Sequence, residues 1–544
     1  MKKTLFVLLT LALVGVGSWY FIQKAGSSTR LSKYVPEESD VVINVNFVAL
    51  FKKADLAHAE KRASIQALVQ KHGDTAIQYM LGELFKDPGS SGIRFTEQAY
   101  FFFRNVYDPQ KNNAGLLLGL KNPADFEAMI RKIEPDLKVQ KDEDLSYWEM
   151  PAGTVLVWNS KTALVYKGRN ISENLVNARE ILSGDMPGIH QKKLFKDAWI
   201  KEQDIHVYLD YTKLLAGKPG ITDKLDLKGG VAFASGISFM DGEVRMENKV
   251  AFENSKDAWL MDLYRHKAKG HTLNYTVNEA PLAAMQLQIN TDKLFDILME
   301  NETARGALEE MAKGLELKPE EVLDMFSGTV SLGFSGFETR VVKRNIFGME
   351  QESEASLPKG AFFIGIKNHE HFNKLLDKAG LKSETGKYVI DDPFLGPYYL
   401  VKTDAGLSVM IHEPMADQLA RDKSFGTPDY GEAGTYLKNN ANSGYVNLDL
   451  QTMPPSFTAI LKDEFPRYSL IETSLKPLHH VEFRQDKKRG FSKVVFKNKE
   501  QNSLIELLDL TDAIYLKYME LELEEEEEVQ IEELILNPEG IELE

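Results

Sequence analysis

The sequence predicts an α+β fold made of two homologous halves. Each half is a mixed or antiparallel sheet with helices packed on one face, and an N-terminal apolar helix precedes both. Three observations carry this expectation. Short apolar segments recur in the same order about 240 residues apart. Strand-like segments end in Asn or Asp, and a helical pattern starts there. Hairpin signals lie between these strand–helix units.

From the N-terminus, Lys2 and Lys3 precede an apolar run from Leu5 to Ile22. At 1.5 Å per residue the stretch from Thr4 to Ile22 spans roughly 28 Å, about one hydrocarbon core. Trp19 and Tyr20 suit the membrane interface, and Lys24 and Arg30 lie just beyond it. The reading is an uncleaved signal-anchor over residues 1–30, with Gly26–Arg30 as a tether. The two lysines place the N-terminus in the cytoplasm and the bulk of the chain outside it. The alternative is a cleaved signal with Gly15-Val16-Gly17 as its small-x-small site, leaving a soluble periplasmic body.

The first half, residues 31–270, opens on Val41-Val42-Ile43-Asn44-Val45-Asn46. The second, residues 271–518, repeats this as Met285-Gln286-Leu287-Gln288-Ile289-Asn290, at an offset of 244. Leu116–Asn122 returns as Phe362–Asn368, Val207–Asp210 as Val446–Asp449, and Val250–Asn254 as Val494–Asn498. Four colinear matches are hard to obtain by chance, although a duplication specifies no activity. Asn46, Asn122, Asp210, Asn290, Asn368 and Asp449 stand where side-chain oxygens accept from the first free helical N–H groups. Pro123 suits the first helical position.

Hairpins are expected at Thr154–Asn159 with Thr162–Lys167, Val231–Phe239 with Glu243–Phe252, and Tyr398–Lys402 with Leu407–His412. Asp241-Gly242 is the clearest turn signal among them. Tyr100-Phe101-Phe102-Phe103 reads as a strand buried on both faces. Longer helices are expected at Ala57–Leu84, Glu302–Leu315, Pro319–Phe326 and Leu504–Leu521.

The 544 residues contain no cysteine, which excludes disulfides, thiolate metal sites, cysteine nucleophiles and lipid attachment through Cys. The formal net charge is −16. Residues 519–544 form an acidic tail holding twelve Glu and no Lys or Arg, so the body is near neutral. Neither tail nor body offers the basic footprint of a nucleic-acid binder. The block Glu524–Glu528 reads as a solvated extension, either disordered or an exposed helix end. Val529–Leu536 reads as part of that extension, with a short edge strand or partner-binding segment as the alternative; for the tail as a whole the alternative is contact with a partner or a divalent cation.

Motifs that carry chemistry are absent. There is no H-E-x-x-H, no G-x-S-x-G, no Walker loop and no dinucleotide fingerprint. His369-Glu370-His371 is the densest histidine cluster. On a helix, positions i and i+2 do not share a face, so it makes a poor metal pair. His479 and His480 point to opposite faces if they lie in a strand, and surface placement is the default for them. No catalytic, cofactor-binding or metal-binding residue is nominated, and no cofactor is expected.

The segment Leu31-Ser32-Lys33-Tyr34-Val35-Pro36-Glu37-Glu38-Ser39-Asp40-Val41-Val42, with Gly92-Ile93-Arg94-Phe95 and Tyr100-Phe101-Phe102 further on, resembles a family of uncharacterised Bacteroidetes cell-envelope proteins. That resemblance implies location and architecture, and no activity. The expected function is therefore a membrane-tethered, exported, non-catalytic binding or scaffolding protein with an envelope protein as possible partner. The alternatives are an envelope hydrolase with its site between the halves and a carrier of an apolar ligand.

Overall fold

The computed structural model describes residues 30–54, 62–72, 88–108, 110–134, 136–150, 153–216, 229–264, 272–346, 349–383, 385–392, 396–426, 430–486 and 488–536. The apolar segment and nearly all of the tether lie outside these residues. Among the described residues no helix is long and apolar enough to cross a membrane.

The chain divides into two compact units. The first draws on residues 1–257, 469–477 and 496–544, the second on 258–468 and 478–495. The sequence places a boundary at 270/271. The structure instead starts the second unit at 258 and assigns the C-terminal helix to the first.

In the first unit, ten strands form one antiparallel sheet. They are β1 Val41–Val45, β2 Ala99–Arg104, β3 Asn113–Gly119, β4 Gln140–Asp142, β5 Leu145–Met150, β6 Thr154–Trp158, β7 Thr162–Lys167, β8 Ile205–Asp210, β9 Val231–Met240 and β10 Glu243–Phe252. Their order across the sheet is β4-β5-β6-β7-β3-β2-β1-β8-β9-β10. The expected hairpins are present, and Gly242 turns β9 into β10 with φ +69°.

Consecutive residues of β3, β6 and β7 are apolar, so both faces of this sheet need cover. Leu116, Leu118, Leu156, Trp158 and Val165 join one core with the helices Phe47–Ala54 and Pro123–Ile133. Leu117, Val155, Val157, Leu164 and Tyr166 join a second core with the helices Ile171–Ser183 and Lys193–Ala198. Helices on a single face were expected; the doubly apolar strands require them on both. Tyr100 and Phe102 are fully buried, whereas Phe101 is only half-buried against the first core.

In the second unit the strands are β11 Ala283–Gln288, β12 Phe326–Ile346, β13 Met349–Ile366, β14 Lys387–Asp392, β15 Gly396–Lys402, β16 Gly406–Met410, β17 Ser443–Asn447, β18 Leu478–Asp486 and β19 Arg489–Phe496. Eight of them run antiparallel in the order β14-β15-β16-β13-β12-β11-β17-β18. Leu407 and Ile366 pack with the helices Glu302–Gly314, Pro319–Asp324 and His369–Lys378. Tyr399, Val401 and Met410 pack with the helix Glu413–Asp422.

The Asx rule holds at four of its six positions. Asn46, Asn122, Asp210 and Asn368 accept from the backbone N–H of Ala49, Ala124, Lys213 and His371. Asn290 does not cap, because its amide turns away to donate to the Asp262 carbonyl at 3.3 Å. Asp449 caps a turn, accepting from Gln451 N–H, and the following helix starts only at Pro455.

Of the helix expected over 57–84, the described part is Ala63–His72; residues 55–61 and 73–87 lie outside the described ones. The C-terminal helix runs Ser503–Leu536, past the expected end at Leu521 and through the backbone of the acidic block. Glu is a good helix former, and no Gly or Pro interrupts the segment before Pro538. The edge strand considered for Val529–Leu536 is therefore helical up to Leu536.

The same helix closes the first unit. Leu504 and Leu508 pack on the core that contains Phe47, Phe51 and Phe126. Arg62 meets Asp509 at 2.7 Å, Asp512 accepts from Ser64 N–H, and Ser503 donates to the Glu243 carbonyl.

Candidate functional site

Two features of the second unit are candidates for function, one on each face of its sheet. The first is an apolar row. Cross-strand pairing sets Val409, Phe362, Leu332, Met285, Gly444 and Phe483 side by side over six strands. Residues directly opposite in antiparallel strands share a face, so these side chains form one continuous line. Leu332 is 46% exposed, Phe362 40% and Phe483 38%. The Phe483 ring lies over Gly444, where any larger side chain would strike it.

The opposite face is buried and polar. Gln286, Gln288, Thr329, Ser331, Ser443, His480 and Glu482 all lie in it. Buried polar groups need partners, and most of these find them nearby, although Gln286 Oε1 has none among the described residues. Gln286 donates to the carbonyls of Leu437 and Asn440, which clamps the helix Gly431–Asn439 to β11. Leu437 adds an apolar contact in a small core with Leu273, Val277 and Ala284. The clamp places Glu432, in the first turn of that helix, beside the start of β18.

At that point three donor side chains converge. The Nδ1 atoms of His479 and His480 are 2.5 Å apart, and Glu432 Oε2 is 3.4 Å from His480 Nδ1. Alternation along a strand fixes where Cβ points, not where the ring atoms land, and the two rings meet edge to face at 75°. The opposite-face expectation concerns the Cβ atoms and stands with both residues on β18; the expected surface placement is corrected, because His480 is buried.

Behind them, His480 Nε2 is 3.2 Å from Glu482 Oε1, and Lys493 holds the other carboxylate oxygen at 3.0 Å. Burial raises the Glu482 pKa, but the bonds from His480 and Lys493 outweigh it and hold the carboxyl below its ordinary range. Tyr445 stacks on the His480 ring at 5.1 Å. Sequence reasoning could not assemble this group. The His-His dipeptide was its one visible signal, and Glu432 stands on a different element.

His369 and His371 are not brought together as ligands. His369 Nε2 lies 3.1 Å from the Asp404 carbonyl, and His371 Nδ1 faces Asn368. A cavity of about 350 Å³ in the second unit is lined by Asp292, Asp296, Glu320, Glu321 and Asp324 with Phe295 and Leu323. That lining is too acidic for an apolar ligand.

The fold and these features define an α+β protein with antiparallel sheets and no recognisable catalytic constellation among the described residues. The chain belongs to the family described as "Domain of unknown function (DUF4836)", whose model matches residues 32–504. No curated protein matches it. Among solved structures it is similar to crystal forms III, I and IV of TP0453, a Treponema protein. Identities are 14%, 12% and 13%, with TM-scores of 0.25, 0.23 and 0.25. The matches cover 45%, 45% and 43% of this chain and 90%, 89% and 83% of the other. Scores at this level carry no argument about function.

Proposed function

We propose that this chain is a membrane-tethered, exported binding protein of the bacterial cell envelope. In this reading it carries no reaction of its own, consists of two copies of one α+β unit, and engages a protein partner. The apolar row of Phe362, Leu332 and Phe483 carries the binding reading. Soluble surfaces rarely leave large apolar side chains contiguous across several strands without a use for them. The N-terminal apolar segment supports the tether, and Lys2 and Lys3 support the orientation.

The duplication is supported by strand order. The matched segments lie on β1 and β11, β3 and β13, and β8 and β17. The run β5-β6-β7-β3-β2-β1-β8-β9 of the first unit has the same connectivity as β14-β15-β16-β13-β12-β11-β17-β18 of the second.

Affinity purification from solubilised envelopes tests the reading. The wild-type chain is expected to retain a defined partner that the double variant Leu332→Ser, Phe362→Ser loses while its circular dichroism stays unchanged. An empty wild-type fraction, or the same partner on the folded double variant, rejects it. Fractionation tests the tether separately: a body washed free by high salt, with a new N-terminus near Ser18, would contradict the anchor.

A further inference from the structure

We propose that Glu432, His479 and His480 bind one divalent cation of the zinc class, with Glu482 orienting His480 from behind. The inference does not depend on the binding reading above, because none of its residues belongs to the apolar row. It rests on three donors brought to one point from two elements, β18 and the helix Gly431–Asn439. Their ligand atoms all lie within 4.8 Å of one another.

The hydrogen-bond pattern fixes which nitrogen of His480 is available. An ionised carboxylate only accepts, so the Glu482 contact puts a hydrogen on His480 Nε2. Nδ1 then keeps its lone pair, and it is Nδ1 that faces His479 and Glu432. A carboxylate behind a ligating imidazole is the usual outer support of a metal-bound histidine. Here that carboxylate is itself held by Lys493 and the ring is braced by Tyr445.

An alternative for the same atoms is a purely structural imidazolium, with His480 donating to Glu432 and Glu482 together. The distances disfavour it. His479 Nδ1 is nearer to His480 Nδ1 than Glu432 is, 2.5 Å against 3.4 Å, so the close contact is imidazole to imidazole. Without a metal, one N–H lies between the two rings, donated by His479 to the His480 lone pair.

A tetrahedral ion with ligand arms of about 2.0–2.1 Å would replace that N–H and set the nitrogens ~3.3 Å apart. His479 is half-buried and can turn, while buried His480 stays in place. Glu432 is 54% exposed, which leaves the fourth position open to water. Two imidazoles and one carboxylate select zinc, cobalt, nickel or copper over magnesium or calcium, which prefer all-oxygen sites. Charge also balances locally: Lys493 offsets Glu482, and Glu432 offsets half of the ion's charge.

The test is titration of the full-length, detergent-solubilised, chelator-treated protein with Zn²⁺, Co²⁺ and Mg²⁺. Calorimetry gives the stoichiometry, and the visible absorption of Co²⁺ gives the geometry. One Zn²⁺ or Co²⁺ per chain is expected, with a tetrahedral Co²⁺ spectrum and no Mg²⁺ uptake. His479→Ala and Glu432→Gln should each weaken binding tenfold or more, and Glu482→Gln by about 10–100-fold. His480→Ala removes a buried ring and can disturb folding, so the half-buried His479 and exposed Glu432 variants decide the matter. Failure to bind Zn²⁺ at one per chain, or unchanged binding in folded His479→Ala, overturns the proposal.

Discussion

The two units use similar strand orders and spend their apolar residues differently. In the first, strands β3, β6 and β7 are apolar on both faces, and each face has its own helix layer and core. In the second, one face of β12, β13 and β18 leaves Leu332, Phe362 and Phe483 substantially exposed, and the other buries glutamines, serines, a histidine and a glutamate. Sheets that pair alike are thus finished differently by what covers them. The first unit puts its burial into stability. The second keeps an apolar surface and a buried polar cluster, the two features with chemistry to offer.

Substitutions at matched kinds of position should break or sharpen this contrast. The largest effect is expected at Phe102, whose ring is fully buried in the first unit. Phe102→Ala should cost about 4 kcal/mol, against less than ~1 kcal/mol for Leu332→Ala in the second. Urea denaturation of the two variants measures both, and equal costs would remove the contrast.

Next comes the C-terminal helix. Replacing Leu504 and Leu508 together by Ala should destabilise the first unit by about 3 kcal/mol, since both pack on its core. Hydrogen exchange should show the loss in β1–β3 and not in β11–β13; an even loss in both would refute the assignment of this helix.

A pH effect of similar or smaller size is expected from His206, packed against Trp199 at a ring separation of 4.0 Å. Burial pushes its pKa down to about 4. Between pH 6.5 and 4 the unfolded chain binds this proton and the folded unit does not, so stability falls as pH falls through that window. The loss is at most ~3 kcal/mol. His206→Phe should flatten that part of the pH–stability curve, and an unaltered curve would show that His206 is not responsible.

The smallest contrast concerns caps. Asn122→Ala should cost about 1 kcal/mol, and Asn290→Ala, which loses no cap bond, under ~0.5 kcal/mol. Thermal melts resolve the pair, and the reverse order would contradict the observed hydrogen bonds.

Much of the local structure was legible in the sequence. The hairpins around Ser160-Lys161 and Asp241-Gly242, the caps at Asn46, Asn122, Asp210 and Asn368, and the helices near 302–315 and 319–326 depend on neighbours a few residues away. The misses have separate causes. Asn290 was expected to cap but is drawn off by the Asp262 carbonyl, 28 residues back in the chain. His480 was expected at the surface but is buried, and its Nδ1 meets that of His479 because alternation says nothing about χ angles. The C-terminal helix was expected to end at Leu521, yet its backbone stays helical through the acidic block to Leu536.

By itself, the sequence determined the α+β class, the positions of most strands and turns, the recurrence of segments about 240 residues apart, and the chemistry closed off by having no cysteine. These follow from periodicity, propensity and composition, which are local or additive. Tertiary structure decided which sheet faces are covered and what stands beside what. It placed Leu504 and Leu508 against the core of the first unit, and Glu432 against His480. Such contacts join residues tens to hundreds of positions apart, and their free energy depends on burial and orientation, which the order of residues does not encode one position at a time.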